Sequence, residues 1–504
     1  MVVMRSTMAS LSSIHENKKM LLYFLFLIIS PFVFYTVFSS ILVPETPSYV
    51  EKGWTKYNEP EFVFKQTISI VIFAMVIFTT LLFWKYRVPV AMTGAALLLL
   101  GGFVDINTLV EYMNIPVILF LLCMMVVVSY IRNLGFFDYF LERTMLATKF
   151  EPKLLLVFFV LMSAFMAAAV DEVSSILFMS VLIFDLAKRF DIEPIPYLIC
   201  AIFATNIGSS ATVLGNPVGI YVAFYADLTF GDFLVWSTPA VVLSTLLIIP
   251  ILSKNFNTFL GEFRKKIIVK QIAPEAPKLT AEAKKGGILF SIMITLLALH
   301  STLETLLGLP TNSLLVAIPL GLASYVLLSL KEEAASFFEK NIEWWTLVYF
   351  MFLFSISSTV EFTGVSAKLS ILFIEVYKFF AGILPSPFQI IVLFISAVII
   401  IGALSSVIDN IVAVAVFLPI IAEVVALNIP FGDILWWSTL IGGCYFGNAT
   451  PIGSTANIVM LGLLDKRYNK SVSFKSWISL GLKISLLTSL IASSYVLLIK
   501  IIWG

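Results

Sequence analysis

The sequence predicts an all-α polytopic membrane protein, built as an inverted repeat with two re-entrant helical hairpins and two broken transmembrane helices. Three observations support this fold class. Hydrophobic residues make up 60% of the 504 residues and charged residues only 12%, whereas soluble proteins carry about 25% charged residues. Apolar runs long enough to cross a bilayer, which takes about 20 residues, recur along the chain. Polar motifs inside four other apolar runs form two pairs that share one sequence offset.

The composition also restricts the partners of the chain. The formal net charge is +1, so nothing favours nucleic-acid binding electrostatically, and the lipid bilayer is the expected surrounding. Cys123, Cys200 and Cys444 lie in apolar segments without metal-ligand spacing. We expect them to be small buried hydrophobic residues. No cofactor is expected, and no metal other than a transported cation.

The apolar runs define the crossings. The first run follows a short basic start and is longer than the apolar core of a signal peptide, so we expect it to be retained. Nine runs can each span the membrane: 21–43, 67–84, 89–104, 114–132, 231–252, 286–307, 312–330, 344–360 and 475–503. Four further runs carry charged or helix-breaking residues: 153–187, 194–225, 386–428 and 434–464.

Lysine and arginine predict the orientation, because basic loops stay in the cytoplasm. The loop 253–285 is the most basic, whereas the loop with Asp105 and Glu111 has no basic residue. The assignments agree only if 153–187 and 386–428 each enter and leave the membrane on one side, as hairpins. Eleven crossings then place the N-terminus in the cytoplasm and the C-terminus outside, in the cell membrane.

An internal repeat is visible in the polar motifs. The stretches SATVLGNPVG, which starts at Ser210, and NATPIGSTAN, which starts at Asn448, align without gaps. Asp171 and Gly215 are 44 residues apart, as are Asp409 and Gly453, and the two pairs are offset by 238 residues. Because the first hairpin enters from the cytoplasm and the second from outside, the repeats are inverted, which is the architecture of alternating-access transporters.

This repeat predicts how the chain is divided. The five parts are N-terminal scaffold helices (1–113), the first inverted repeat (114–252), a cytoplasmic basic linker (253–285), connecting transmembrane helices (286–330) and the second inverted repeat (331–504).

The candidate site consists of the hairpin connections and the broken helices. A carboxylate at the centre of a membrane helix costs about 2.5–3.5 kcal/mol and is a functional candidate by default. A broken helix also exposes N–H and C=O groups that suit ions. The candidate ion- or substrate-binding residues are Asp171, Glu172, Ser174, Ser175, Asn206, Ser210, Thr212, Asn216, Asp409, Asn410, Asn448, Thr450, Ser454, Thr455 and Asn457. The candidate helix-breaking residues are Gly215, Pro217, Gly219, Pro451 and Gly453. For each hydroxyl residue, a role in close packing alone stays open.

The stretches AVDEVSS, VIDNIVA, NIGSSATVLGNP and GNATPIGSTAN resemble the ion transporter superfamily. They are most similar to its arsenite permease, sodium–proton antiporter and P-protein branch, which has a citrate-transporter-like domain. The resemblance runs from about Pro116 to the C-terminus. It implies a homodimer in which a scaffold domain supports a moving transport domain, with an elevator-type movement. The chain departs from that branch at Glu172, where Asn is usual, and at Asn216, where Asp is frequent.

The predicted carboxylates at the hairpin tips indicate which class of substrate the chain can bind. Related dicarboxylate carriers have Ser-Asn-Thr at the hairpin tips, whereas this chain has Asp171 and Asp409, and an ionised aspartate repels a carboxylate substrate. With no Lys or Arg expected near either motif, the sequence favours a small inorganic ion or neutral hydroxide, moved by sodium–proton antiport or arsenite-type efflux. Na⁺ or H⁺ is the expected coupling ion. Adjacent Glu172 favours protonation of one carboxylate of the pair.

Two alternatives stay open. A sodium-coupled anion or dicarboxylate (citrate-like) symporter could bind its substrate at half-helix N-termini, without basic side chains. In a membrane-embedded enzyme, Asp171 and Glu172 could hold a metal or act as acid and base. A catalytic site does not require an inverted duplication, so we expect no enzymatic activity and no catalytic residues.

Overall fold

The computed structural model describes residues 23, 25–270, 277–385 and 388–503. Within these ranges the chain is helical and has no β-strand. Nine helices of the described chain are long and apolar enough to cross a membrane. The predicted all-α membrane fold is therefore confirmed.

The α-helices of the described residues are α1 (Leu25–Ser40), α2 (Pro47–Glu51), α3 (Pro60–Leu82), α4 (Arg87–Leu100), α5 (Ile106–Glu111), α6 (Ile115–Asn133), α7 (Phe136–Ala147), α8 (Pro152–Ala169), α9 (Glu172–Phe190), α10 (Ile195–Gly208), α11 (Pro217–Tyr225), α12 (Phe230–Trp236), α13 (Thr238–Asn255), α14 (Asn257–Lys270), α15 (Ala281–Leu307), α16 (Ser313–Leu330), α17 (Ala334–Asn341), α18 (Trp344–Phe362), α19 (Val365–Ala381), α20 (Phe388–Ser405), α21 (Asn410–Val425), α22 (Leu435–Tyr445), α23 (Thr455–Tyr468) and α24 (Phe474–Trp503). Short 3₁₀ segments lie at Trp54–Asn58, Trp84–Tyr86, Lys331–Glu333, Gly432–Ile434 and Phe446–Asn448.

The predicted crossing runs all overlap helices, although the first run begins outside the described residues. The helices that lie outside these runs include α14 and α19. The basic linker contains α14, which packs against α8 and α9. Helix α19 follows α18 and carries charged residues; one of them, Lys368, is buried and donates from Nζ to the Phe38 carbonyl (2.7 Å).

The described chain forms two compact units. The first, unit A, contains the described residues through Ile118 together with Trp344–Phe379 and Pro419–Ile429. In unit A, α4 packs against α3 and α18. A small buried cluster of aromatic and aliphatic residues includes Tyr49 and Trp54, whose rings stack 5.4 Å apart.

Unit B contains Leu119–Glu343, Phe380–Leu418 and the described residues from Pro430 onward, and all the candidate site residues. Its packing repeats at the sequence offset of 238. Helix α8 packs against α10 and α20 packs against α22, while the equivalent helices α13 and α24 pack against each other. The α14 helix joins this unit through Phe263, whose ring contacts those of Phe190 and Tyr197, and through an ion pair between Arg264 and Glu151.

Candidate functional site

Two short connections carry the predicted aspartates. Helices α8 and α9 are joined only by Val170 and Asp171, and Asp171 caps α9 because its Oδ1 accepts from the Ser174 N–H (2.7 Å). Helices α20 and α21 are joined by residues 406–409, and Oδ1 of Asp409 accepts from the Ile411 N–H (3.2 Å). Each carboxylate thus lies at a helix N-terminus, where the backbone dipoles favour negative charge.

Each connection is tied to a non-helical interruption by an equivalent threonine. The first interruption lies between α10 and α11 and the second between α22 and α23; they are residues 209–216 and 446–454, the second beginning with a 3₁₀ turn. Thr212 donates from Oγ1 to the Ala168 carbonyl, and Thr450 donates from Oγ1 to the Ser406 carbonyl. Both donors and both acceptors are related by the offset of 238. The repeat found in the sequence therefore extends to these tertiary contacts.

The second aspartate also contacts the second interruption. Thr455 donates from Oγ1 to Oδ2 of Asp409, and Thr455 is the first residue of α23. Ser454 caps that helix by accepting from the Ala456 N–H (3.1 Å). The helix start and the aspartate are consequently held together by a hydroxyl.

Glu172 is a buried carboxylate that directly follows the first connection. Its side chain is 7% exposed, and within the described residues its Oε2 atom has no hydrogen-bond partner. It lies within electrostatic range of both Asp171 and Asp409, so acidic residues from the two repeats form one cluster, which we call the carboxylate cluster. Three neighbouring carboxylates in a buried site repel one another unless a proton or a cation intervenes.

The repeat-equivalent residue of Glu172 is Asn410, which has a different environment. In the amide orientation that its surroundings favour, Nδ2 of Asn410 donates to the carbonyls of Gly443 (3.0 Å) and Gly453 (2.7 Å). A neutral amide thus joins α22 to the second interruption, whereas the acidic residue in the first repeat stays without such a bond at Oε2.

One basic residue lies near the cluster, contrary to expectation. Arg132, at the end of α6, is half-buried and lies within electrostatic range of Asp171. The expectation that no Lys or Arg lies near either motif is therefore wrong for the first one. The sequence signal was ambiguous, because an arginine that ends an apolar run is also typical of the cytoplasmic end of any membrane helix.

Three buried asparagines connect the two repeats. Asn206 donates from Nδ2 to Oδ1 of Asn448 (2.7 Å) and to Oδ1 of Asn457 (2.9 Å). Asn457 donates in turn to the carbonyls of Gly447 (2.7 Å) and Thr450 (3.0 Å). All three asparagine side chains are fully buried. The network satisfies carbonyls that the second interruption releases from helical bonding.

Asn216 is the last residue of the first interruption and the repeat-equivalent of Ser454, which caps α23. It caps α11 by accepting from the Gly219 N–H at Oδ1 (2.8 Å). Its Nδ2 donates to Ser209 Oγ (2.8 Å) and to Cys444 Sγ (3.1 Å). Cys444 therefore contributes a polar contact between the repeats that the sequence did not indicate.

The remaining candidates differ in what they contact. Ser175 donates from Oγ to the Ser163 carbonyl (3.0 Å), and Ser210 donates to the Ile207 carbonyl (2.8 Å). The Ser210 bond is local and that of Ser175 joins α9 to α8, so both resemble the packing role left open for hydroxyl residues. Ser174 is half-buried and supplies the backbone N–H that Asp171 accepts.

The interruptions bring backbone segments into close contact. A Cβ atom on Gly215 would lie 2.0 Å from the Ser209 carbonyl oxygen, and one on Gly453 would lie 2.9 Å from that of Gly447. At Gly219 the closest atom would be the Thr212 carbonyl oxygen, at 3.0 Å. Pro217 is the first residue of α11, and Pro451 lies within the second interruption. Proline suits a first helical position because its missing N–H has no intrahelical partner there.

The comparison with known proteins identifies the family. The model of the citrate transporter family matches residues 73–442, which include both connections and the first interruption. The chain belongs to the citrate transporter family.

Relatives of this family member occur in bacteria and animals. An uncharacterized transporter of Mycobacterium tuberculosis, Rv2684, is 29% identical over 419 residues, which cover 81% of this chain and 92% of that protein. The P protein of Mus musculus is 23% identical, over 87% of this chain and 61% of its own length. The resemblance to the ion transporter superfamily, including the P protein, is confirmed.

Solved structures support the fold of this citrate transporter family member. The YdaH transporter of Alcanivorax borkumensis has a TM-score of 0.55 at 17% identity, covering 96% of this chain and 99% of that one. MtrF of Neisseria gonorrhoeae, described within a class of antimetabolite efflux pumps, has a TM-score of 0.53 at 13% identity, covering 86% and 94%. The protein is an integral membrane transporter.

Proposed function

We propose that this transporter is a secondary active carrier that moves a small inorganic ion or a neutral hydroxide by proton- or sodium-coupled alternating access. Sodium–proton antiport and arsenite-type efflux are the two forms that we favour. The observation that supports this proposal is the carboxylate cluster, in which Glu172 lies within electrostatic range of Asp171 in its own repeat and of Asp409 in the other repeat.

The cluster suits a cation or a proton for electrostatic reasons. A buried carboxylate without a partner is costly, and a neighbouring carboxylate adds to that cost. A bound Na⁺ or H⁺ relieves both penalties. When the cation leaves, a proton takes its place, so the two ions compete for one site. This exchange is the basis of antiport, and it needs no residue beyond the cluster.

The internal repeat favours alternating access over a channel or an enzyme. Equivalent threonines hold equivalent connections, and buried asparagines join α10 of the first repeat to the second interruption. Two similar halves around one site can exchange their roles when the site opens to the opposite side. We propose the inverted orientation of the halves, an elevator-type homodimer and the cell membrane as the location, with a cytoplasmic N-terminus, as parts of the same mechanism.

A sodium-coupled citrate-like symporter is the second candidate. The description of the family favours it, and helices α9, α11, α21 and α23 begin at the two connections and the two interruptions. Helix N-termini attract anions, and Arg132 lies within electrostatic range of Asp171. One argument opposes this candidate. A tricarboxylate would add negative charge beside the three carboxylates of the cluster, so each of these carboxylates would need a neutralising cation.

The test is a flux assay with purified protein in lipid vesicles. Internal pH is recorded while sodium, lithium, arsenite or citrate is applied, in wild type and in Asp171→Asn and Asp409→Asn. We expect proton flux driven by sodium, lithium or arsenite, and a loss of at least about 100-fold in both variants, in the range of general acid–base contributions.

Asp465→Asn is the matched control, because Asp465 is exposed on α23 and lies outside the cluster. Undiminished proton-coupled flux in the two cluster variants would contradict the proposed role of the aspartates. Sodium-driven uptake of citrate without exchange of protons would replace antiport by the symport alternative.

A further inference from the structure

A polar cavity separate from the carboxylate cluster lies in unit B, between α10, α13 and α24. Its volume is about 870 Å³, and its wall includes Phe203, Pro250 and Trp477. None of its lining residues belongs to the carboxylate cluster or to the predicted binding set. We call it the lysine cavity, because Lys254 and Lys483 are its two charged residues.

The two lysines have no acidic partner. In the described part of the chain, neither amino group takes part in an ion pair or a hydrogen bond. Lys483 lies nine residues after the first residue of α24, inside a segment that could span the membrane. A lysine within a membrane segment is costly and marks a ligand or an ion pathway by default. Lys254 is the penultimate residue of α13, at the end of its span. Two amines that line one cavity, one of them within a spanning segment, favour an anion as the ligand.

The other lining residues have the chemistry of an amphiphile site. Ser476, Ser479 and Asn255 supply uncharged hydrogen-bond donors. Ile199 and Leu480 supply an apolar surface beside them. A ligand with an anionic head and an apolar body would satisfy both parts of the wall.

We propose that the lysine cavity binds a phosphate group between Lys254 and Lys483, carried by an anionic phospholipid headgroup or by a free phosphate compound. Phosphate oxygens can accept from two separate ammonium groups, and lysine is a common phosphate ligand. The predicted orientation places the end of α13 and the start of α24 at the cytoplasmic leaflet, which is the leaflet that carries anionic lipids.

An occupant of the cavity would touch a residue that supports the carrier site. Trp477 forms part of the cavity wall and donates from Nε1 to the Asn448 carbonyl (2.9 Å). Asn448 belongs to the asparagine network of the second interruption. The ligand would therefore stabilise the folded chain at a position next to the interruption.

The binding test uses the full-length protein in detergent and follows its thermal unfolding. One arm adds mixed micelles of phosphatidylcholine alone or with an equal part of phosphatidylglycerol. The other arms add inorganic phosphate, glycerol phosphate or citrate. We expect stabilisation by phosphatidylglycerol, with an apparent affinity about thirtyfold weaker in Lys254→Gln/Lys483→Gln, because each lysine near an anionic surface contributes roughly fivefold.

Two further double variants make the test decisive. Lys265→Gln/Lys475→Gln removes the same charge from exposed positions outside the cavity, and it should keep wild-type affinity. Lys254→Arg/Lys483→Arg keeps the charge and should keep most of the binding. Stabilisation by the soluble phosphates as well would identify a free phosphate compound as a ligand. Equal losses in the cavity pair and the exposed pair, stabilisation by citrate alone, or no stabilisation by any addition would overturn the proposal.

Discussion

Glu172 and Asn410 occupy equivalent positions in the two repeats, and the difference between them defines the chemistry of the cluster. The Asn410 amide bonds two backbone carbonyls and carries no charge. Glu172 leaves one buried oxygen without a partner, beside two further carboxylates. An acidic side chain in this environment is favourable only with a proton or a cation beside it. In the proposed mechanism, this asymmetry favours the first repeat as the main place of the exchangeable charge.

Glu172→Gln should weaken binding of the coupling cation without lowering the stability of the fold. The variant keeps the volume of the side chain and removes a buried charge, so we expect an unfolding temperature equal to or above that of wild type. The apparent affinity for the coupling cation should fall by at least about tenfold, because a unit charge a few ångströms away contributes a few kcal/mol. Flux measured against sodium concentration, with Asp465→Asn as control, checks both effects. Unchanged affinity would remove Glu172 from the cation site.

Asn206→Ala should destabilise the connection between the repeats. The substitution leaves the Oδ1 atoms of Asn448 and Asn457 buried without their donor, and each unsatisfied group costs about 1–3 kcal/mol. We expect a lower unfolding temperature together with reduced transport. Asn107→Ala, at an exposed position in unit A, is the control for the loss of an amide. If both variants unfold at the same temperature, the network does not contribute to stability.

At the scale of helices, the sequence predicted the elements that depend on local pattern. The aligned interruptions, the aspartates before helix starts and the apolar runs all follow from spacing and hydropathy. What could not be predicted depends on how helices rotate against one another. Arg132 near Asp171, Cys444 near Asn216 and α14 against α8 each join segments that are distant in sequence. No periodicity within one segment carries that information.

Helix α24 contacts the second interruption and the end of α22 through Trp477, Gly481 and Ser485, which follow one another at intervals of one helical turn. Trp477 donates to the Asn448 carbonyl, and Ser485 donates from Oγ to the Tyr445 carbonyl (3.0 Å). Between them, a Cβ atom on Gly481 would lie 2.2 Å from the Asn448 carbonyl oxygen. The glycine lets the helix backbone approach the interruption closely.

Gly481→Ala should therefore displace α24 from the interruption. We expect a loss of about 1–3 kcal/mol, as is typical of overpacking, with a matching fall in unfolding temperature and flux. Gly462→Ala in α23 is the control, because no atom lies within 4 Å of its added Cβ. In that variant alanine replaces glycine in a helix and should be neutral or stabilising. Equal behaviour of the two variants would contradict the close contact.

For the whole molecule, the repeat extends from motifs to packing. The pairs α8–α10 and α20–α22 are equivalent, and at equivalent points small residues permit the contact. Gly208 lies against the Ala164 backbone, whereas Gly402 lies against the Phe446 ring. In the first pair the glycine lies on α10, and in the second pair it lies on α20, the equivalent of α8. Such compensation is what duplicated halves accumulate when each must keep its packing volume.

The proposed inverted orientation of the halves gives the last prediction, which labelling from each side of the membrane tests. Single cysteines at Lys153, Lys188 and Lys265 should react only from the side of the basic linker. Cysteines at Thr311, Ile383 and Pro430 should react only from the opposite side. The native cysteines Cys123, Cys200 and Cys444 are buried, so the unaltered chain should react slowly and supplies the background.

Each pair of sites tests one part of this topology. Lys153 and Lys188 flank the first connection, so modification from a common side means that α8 and α9 turn back within the membrane. Ile383 and Pro430 flank the second connection. Both should react from the side opposite to the linker, which would mean that α20 and α21 also turn back within the membrane. Both flanking pairs reacting from the linker side would mean parallel halves, and Lys153 and Lys188 reacting from different sides would mean a full crossing. Either result would remove the inverted repeat from the proposed mechanism, in which two opposed halves exchange roles around one shared site.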